Sequence, residues 1–182
     1  DWLEKNQDTD TIIFANINTN NLNTKLISLP RDIWCQQTST RINKIYQLSM
    51  RQKNPTDFIK LCFQTIIGQK IDHVVAVDTK ILVPIINIIG SVPIELDYQL
   101  VDNKYPNPNH IKDPQKYPTA YITIRFNRGV NTIDSTNVLF FVRSRKGSDL
   151  ISQGGTDIGR SHRQQLLIQA IINKINQEKT YL

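Results

Sequence analysis

Hydrophobic residues recur along this chain with two periods, about two residues where strands are expected and about 3.6 residues where helices are expected. Short apolar or alternating runs predict strands at 11–17, 25–29, 71–77, 92–96 and 121–126. Helical spacing predicts a helix that begins near residue 41 and further helices at 55–67, 79–89 and 161–177. Strands and helices that follow each other in this way predict an α/β fold.

Turn and cap residues support several of these boundaries. The turn-rich stretch 18–23 joins the first two strands, which predicts a hairpin. Pro55 is typical of the first turn of a helix and Gly68 of its end. The stretch 103–118 is rich in Pro, Asn and Tyr and is predicted to be a long loop. The Gly- and Ser-rich stretch 147–159 is predicted to be flexible.

The composition fits one folded domain with an anionic partner. The chain has 182 residues, 39% of them hydrophobic, which is enough for one core. No run of about 18 apolar residues is present and the first residues are polar, so neither a transmembrane helix nor a signal peptide is expected within it. The net charge of +6 favours an anion as partner. Nucleic acid is not expected, because aromatic residues are not interleaved with the arginines.

Two cysteines allow one disulfide at most. Cys35 and Cys62 show no metal-site spacing, and two cysteines do not decide the redox compartment. Cys62 falls on the apolar face of the helix predicted at 55–67, where a free buried thiol is common. Both readings, a disulfide and a free pair, therefore stay open.

Arg143 and Arg145 lie two residues apart in a stretch interpreted as a strand. Side chains two apart on a strand point to the same face, so the two guanidinium groups are expected to meet one target. They repel each other unless an anion bridges them. Pyrophosphate is a suitable anion, because each guanidinium group can bind phosphate oxygens through two hydrogen bonds. The alternative is an exposed edge strand whose charges are solvated.

A second polar group begins the last predicted helix. It contains Arg160, Arg163 and Gln164, of which the first and last are four residues apart and share one helix face. The free N–H groups at a helix N-terminus favour anions, so arginine at this position indicates a bound anion. The alternative is that Asp157 offsets the charge.

Two more polar clusters lie at predicted strand ends. Pro30 ends the second strand, so Arg31 and Asp32 lie at the end of that strand, where α/β folds commonly bind ligands. The alternative there is a surface ion pair. Asp8 and Asp10 precede the first strand, and carboxylates near arginine-bound phosphates suit Mg²⁺. Simple polarity at the start of a strand is the other interpretation.

Taken in order, these segments resemble the LytR-CpsA-Psr family from about Asp8 to Ile175. The family's R-S-D-T-like motif is matched by Asp8-Thr9-Asp10-Thr11, its S-I-P-R-D motif by Ser28 to Asp32, and its K-I-N-x-A-Y motif by Arg41 to Tyr46. In the middle of the chain, the I-D-H-Y-V-x-V-D motif is matched by Ile71 to Asp78 and the Gly-Gly-Val motif by Gly90 to Val92. Near the end, the Y-V-R-S-R motif is matched by Phe141 to Arg145 and the G-x-D-F-x-R-x-x-R-Q-Q motif by Gly155 to Gln165.

The resemblance implies a fold, an activity and a location. The fold is an α/β/α layered sandwich around a mixed sheet, with a pocket for a lipid tail lined by apolar residues of the helices at 55–67 and 79–89. The activity is an Mg²⁺-dependent transfer of a glycopolymer, such as teichoic acid, from a polyprenyl pyrophosphate carrier to peptidoglycan. The location is the cell envelope, at the outer face of the cytoplasmic membrane, with an N-terminal membrane anchor outside these residues.

The resemblance also assigns residues. It implies that Asp10 binds magnesium, and that Asp32 orients Arg31 or accepts the proton of the incoming hydroxyl. The implied pyrophosphate ligands are Arg31, Arg143, Arg145, Arg160, Arg163 and Gln164.

One family feature is missing from this sequence. An earlier strand with an L-L-G-x-D-like motif, whose aspartate is the other magnesium residue, is not found in 1–7, so we expect one LytR-CpsA-Psr-like domain at 8–176 without that strand. The strand then precedes the first residue or is lost, with Asp8 as a possible substitute. A true loss favours a non-catalytic polyprenyl-phosphate-binding envelope regulator. A pyrophosphate hydrolase acting on the same lipid is a further alternative.

Overall fold

The computed structural model describes residues 8–18, 23–145 and 157–179. Helices and strands are mixed along the chain, which confirms the predicted α/β class. The stretch 147–156 of the predicted flexible loop lies outside the described residues.

The strands pair in twos, and every described pair is antiparallel. The partners are β1 with β2, β3 with β4, β5 with β8, and β6 with β7. The hairpin predicted from the turn-rich stretch is confirmed, since Ile12 faces Leu29 and Ile17 faces Thr24. The strands are β1 Ile12–Ile17, β2 Thr24–Leu29, β3 Trp34–Cys35, β4 Thr40–Arg41, β5 Val92–Leu96, β6 Leu100–Pro106, β7 Tyr121–Phe126 and β8 Gly129–Ile133.

The helices follow the predicted spacing in most places. Gly68 ends α2 in the left-handed conformation, with φ of 72°, and its N–H donates to the Gln64 carbonyl at 2.8 Å. The helices are α1 Ile45–Ser49, α2 Pro55–Ile67, α3 Leu82–Ile89, α4 Pro108–Lys112, α5 Val138–Arg143 and α6 Asp157–Lys179. Single 3₁₀ turns occupy Gln36–Thr38, Ile42–Lys44 and Thr79–Ile81.

The strand predicted at 71–77 is wrong. These residues have no regular secondary structure, and Val75 and Val77 are 82% and 64% exposed. An apolar run becomes a strand only where a neighbouring strand supplies its ladder hydrogen bonds, and no described strand pairs with this one.

The long loop predicted at 103–118 is wrong in part, because β6 extends to Pro106 and α4 follows it. Antiparallel pairing with β7 outweighs the Pro- and Asn-rich composition of this stretch. The side chain of Asn107 then caps α4 by accepting from the Asn109 N–H at 3.0 Å, and Pro108 occupies the first turn.

The chain folds as two compact units, an N-terminal unit of residues 1–76 and a C-terminal unit of residues 77–182. The single domain at 8–176 therefore stays a prediction. The N-terminal unit has a small core, and the disulfide left open by the sequence is formed there, with 5.9 Å between the Cα atoms. Its fully buried apolar residues are Cys35, Ile42, Ile45 and Cys62.

The C-terminal unit has the larger core. Strand β5 shows why, since Val92, Ile94 and Leu96 are buried while the residues between them are exposed, as strand alternation requires. Phe126 of β7 and Phe141 of α5 meet edge to face, with ring centroids 5.1 Å apart. This packing places α5, which ends at Arg143, directly on the core.

Candidate functional site

The strand interpretation of the stretch around Arg143 is wrong, because Arg143 is the last residue of helix α5 and Ser144 follows in an extended conformation. The apolar residues Val138, Phe141 and Val142 repeat at spacings of three and four and are buried on one helix face. The rule that residues two apart share a face therefore does not apply to Arg143 and Arg145, of which Arg145 is exposed.

A polar turn starts this helix and could have identified it from the sequence. The Asp134 carboxylate accepts from the N–H groups of Thr136 at 2.8 Å and Asn137 at 3.2 Å, and the Asp134 carbonyl accepts from the Val138 N–H. Hydrogen bonds from the Thr136 hydroxyl and N–H lower the pKa of Asp134 below its ordinary value. The letters D-S-T-N before an apolar run are typical of such a helix start.

Arg163 of α6 is fully buried and binds backbone carbonyls. Its Nε donates to the Phe141 carbonyl at 2.9 Å, its Nη2 to the Ser144 carbonyl, and its Nη1 to the Tyr98 hydroxyl at 3.4 Å. Burial lowers the pKa of Arg163, while Tyr98 and Asp102 oppose that effect. The last carbonyls of a helix have no partner within it, so this guanidinium satisfies the end of α5.

The neighbouring residues of α6 are buried as well. Gln164 is 7% exposed and donates from Nε2 to the Val142 carbonyl at 3.0 Å. Arg160, one turn earlier in the helix, is 3% exposed. Three of the residues that the sequence grouped at the start of the last helix are thus enclosed in the C-terminal unit, and two of them hold the end of α5.

Arg143, the last residue of α5, is more accessible than Arg160 and Arg163, with a quarter of its side chain exposed. Its Nε donates to the Thr79 hydroxyl at 3.0 Å, and its Nη2 donates to the same oxygen. A carboxylate oxygen of Asp78 lies 3.7 Å from Nη2. One edge of the guanidinium is therefore held by residues 78 and 79, which the sequence analysis did not select.

Arg31 and Asp10 meet in the N-terminal unit. The distance from Arg31 Nη1 to Asp10 Oδ1 is 2.6 Å, and the two side chains are 34% and 54% exposed. Asp32 lies 3.9 Å from Arg31 Nε but only 3.0 Å from Arg41 Nη1. Asp32 thus lies between two arginines and is closer to Arg41.

The oxygen ligands that magnesium prefers are present beside the first strand. Asp8 Oδ1 and Asn43 Oδ1 are buried and accept no hydrogen bond, and the Asn43 side-chain nitrogen lies 3.5 Å from Asp8 Oδ2. Carboxylate and amide oxygens without a donor suit a hard cation. No group of three or more His, Cys, Asp or Glu side chains that could hold a metal ion is found among the described residues.

Several polar residues of the C-terminal site escaped the sequence analysis. Asp102 is 2% exposed and accepts from the Ser144 hydroxyl at 2.7 Å, and Ser144 is fully buried. Ser144 stands between the two selected arginines, so its position was visible in the sequence, but its burial was not. Asp102 and Tyr98 come from the region around β6, and no local pattern connects them with α5.

The family comparison agrees with the resemblance. The model of the LytR_cpsA_psr family matches residues 2–181, so the chain belongs to the LytR-CpsA-Psr family. No curated protein sequence gives a significant match. Among the described residues, no helix has both the length and the apolar character needed to cross a bilayer.

Solved structures of this family share the fold. TagV of B. subtilis is 23% identical, with a TM-score of 0.63 over 92% of this chain and 57% of that one. TagT bound to LIIa-WTA is 18% identical, with a TM-score of 0.63 over 92% and 58%. YwtF (TagT) with bound octaprenyl pyrophosphate lipid is 17% identical, with a TM-score of 0.60 over 93% and 60%. The chain therefore spans 57–60% of the length of these solved structures.

Proposed function

We propose that this protein transfers a glycopolymer from a polyprenyl pyrophosphate carrier to a cell-wall acceptor, and that the acceptor is peptidoglycan. The observation that carries the proposal is the placement of Arg163 and Gln164 on the backbone carbonyls at the end of α5, the helix that ends at Arg143. Family membership and the relatives that bind octaprenyl pyrophosphate lipid and LIIa-WTA support the same chemistry.

The residues divide into two roles under this proposal. Arg143 and Arg145 are accessible and bind the pyrophosphate, because guanidinium groups pair well with phosphate oxygens. Arg163 and Gln164 are occupied by backbone carbonyls, so the geometry supports a role for them in holding the site in shape. Arg160 keeps the pyrophosphate role assigned by the resemblance.

The reaction forms a bond between the acceptor hydroxyl oxygen and the phosphorus that carries the glycopolymer. The bridging P–O bond breaks, polyprenyl phosphate leaves with the bonding electrons, and the proton of the acceptor hydroxyl passes to water. Arginines stabilise the negative charge that develops on the leaving phosphate. Arg31 keeps its proposed catalytic role, with Asp32 to orient it.

Mg²⁺ is the proposed cofactor. Asp10 is its proposed ligand, and the unpartnered oxygens of Asp8 and Asn43 add suitable donors. When bound, the ion would neutralise phosphate charge. Its binding can be checked by calorimetric titration of MgCl₂ in the presence of inorganic pyrophosphate; heats that are equal for the wild type and Asp10→Asn would exclude Asp10 as a ligand.

Apolar surface suits the lipid tail. On α3 the sequence Leu82–Ile89 is almost entirely apolar, yet only Ile86 is buried and Ile88 is 84% exposed. On α2, Leu61 is 53% exposed. We place the protein in the cell envelope, at the outer face of the cytoplasmic membrane and held by an N-terminal anchor, since the proposed donor and acceptor meet there.

Reconstitution tests the proposal. The protein is incubated with a polyprenyl-pyrophosphate-linked sugar, with and without peptidoglycan, and the products are identified by mass spectrometry. Sugar attached to peptidoglycan through a phosphodiester is the expected product. Release of sugar phosphate without an acceptor would identify a hydrolase, and tight binding without turnover a regulator; either result would contradict transfer. Arg143→Ala is expected to abolish the product, whereas exposed Arg128→Ala is the matched control.

A further inference from the structure

Ser144 stands between the two accessible arginines and is fully buried, although its neighbour Arg145 is exposed. Its N–H donates to the Phe140 carbonyl at 3.1 Å and closes the last turn of α5. The chain then leaves the helix in an extended conformation, with φ of −57° and ψ of 132°. Ser144 is therefore the point at which the direction of the backbone changes between the arginines.

Charged partners bind both remaining polar groups of Ser144. The hydroxyl donates to Asp102 Oδ2 at 2.7 Å, and the carbonyl accepts from Arg163 Nη2. Hydrogen bonds to ionised groups are about twice as strong as those between neutral groups. Three hydrogen bonds thus fix Ser144 through its N–H, its side chain and its carbonyl.

Both charged partners of Ser144 are buried as well. Asp102 on β6 is 2% exposed and Arg163 on α6 is fully buried, and each charge alone would be costly to remove from water. Asp102 acts on Arg163 through its charge, favouring the protonated guanidinium. The other Asp102 oxygen accepts from the Lys104 N–H at 3.0 Å, which holds the carboxylate in place.

We propose that Ser144 and Asp102 are positioning residues of the pyrophosphate site, and that they hold Arg143 and Arg145 at one fixed spacing. This inference rests on the proposed function. Two like charges on a free segment would move apart, and an anion would have to bring them together again. A segment held before binding avoids that ordering cost, so the affinity for the diphosphate rises.

A double-mutant cycle separates positioning through Arg143 from a general structural role. The four proteins are the wild type, Ser144→Ala, Arg143→Ala and the double variant, each titrated calorimetrically with octaprenyl pyrophosphate in detergent. We expect Ser144→Ala to weaken binding about tenfold in the wild type, but less than about threefold once Arg143 is absent. Equal factors in both backgrounds, or no effect in the wild type, would overturn the inference.

Two further variants keep the test interpretable. Asp102→Asn keeps the size of the side chain but removes its negative charge, and we expect it to repeat the pattern of Ser144→Ala. If circular dichroism shows that it does not fold, the milder Ser144→Ala decides alone. Ser135→Ala, in the turn before α5, is the matched control and is expected to bind like the wild type.

The proposed function and this inference fail in different ways. A wild-type protein that binds neither octaprenyl pyrophosphate nor inorganic pyrophosphate would contradict the proposed function, and the inference with it. Wild-type binding combined with an additive cycle would contradict only the positioning role of Ser144 and Asp102.

Discussion

The two units place their candidate site residues in different environments. In the N-terminal unit, Arg31 pairs with Asp10 at the surface, and both side chains are at least one-third exposed. In the C-terminal unit, Arg163 is fully buried and its donors reach the Phe141 and Ser144 carbonyls and the Tyr98 hydroxyl. The same residue type thus belongs to a solvated ion pair in one unit and to the interior in the other.

This difference in burial distinguishes arginines that can bind a ligand from arginines that stabilise the fold. An exposed ion pair contributes little to stability and keeps its donors available for a ligand. A buried guanidinium on helix carbonyls contributes much to stability, because its removal leaves polar groups unsatisfied. The family resemblance groups Arg31 and Arg163 as pyrophosphate ligands, whereas their different burial indicates a binding role for Arg31 and a structural role for Arg163.

Removal of Arg163 is expected to have the largest effect on stability. Arg163→Met keeps most of the apolar volume but leaves the buried Phe141 and Ser144 carbonyls without their donor, so we expect a loss of about 3–5 kcal/mol. Urea unfolding followed by far-ultraviolet circular dichroism measures it. Arg128→Met, at an exposed position, should stay within about 0.5 kcal/mol of the wild type. A loss below about 1 kcal/mol for Arg163→Met would remove the contrast between the units.

The disulfide is expected to have the next largest effect. Cys35 and Cys62 are 27 residues apart, so the double replacement by Ala should cost about 3–4 kcal/mol. Trp34, next to Cys35, reports on this unit by its fluorescence, since 77–182 contains no tryptophan. Dithiothreitol should shift the urea midpoint of the wild type but leave that of the double variant unchanged. Equal midpoints for all samples would show that this small core does not depend on the bond.

A smaller, pH-dependent effect is expected at Asp134. Its hydrogen bonds lower its pKa in the folded state, so its contribution is present above the unfolded pKa and is lost as the pH falls through the folded pKa, in the acid range below about pH 4. Asp134→Ala should cost at most about 1 kcal/mol at pH 7, because water competes for the hydrogen bonds of this partly exposed turn. Thermal unfolding measured from pH 7 to pH 2 should show the gap to the wild type closing in acid; a gap that is constant with pH would argue against the carboxylate.

The smallest effect on stability is expected at Arg31. Arg31→Ala breaks an exposed pair and should change the free energy of unfolding by about 0.2–1 kcal/mol. The tryptophan fluorescence transition measures this, and 1 M salt should reduce the difference, because the Debye length is then about 3 Å. Transfer should nevertheless fall strongly, since the proposed role of Arg31 is catalytic. A loss as large as that of Arg163→Met would mean that Arg31 is structural too.

Local patterns predicted the regular elements well where the chain itself supplies their partners. The hairpin of β1 and β2 and the helix Pro55–Ile67 with its Gly68 cap follow directly from turn residues and spacing. The prediction of a strand at 71–77 failed, because a strand depends on a neighbouring strand that the spacing of residues cannot reveal. The prediction for the helix that ends at Arg143 failed for another reason: an apolar run of five residues fits either period, and only its packing decides.

The sequence by itself determined the class of fold and the family, and it selected the arginines of the candidate site, because motif order and residue type are written along the chain. Tertiary structure alone decided which of those residues face solvent. Burial of Arg163 and Ser144, and the arrival of Asp102 from β6, depend on hydrogen bonds between residues 19 to 42 positions apart. Such bonds leave no local pattern, since hydrogen bonding across a core constrains positions in space and not their spacing in sequence.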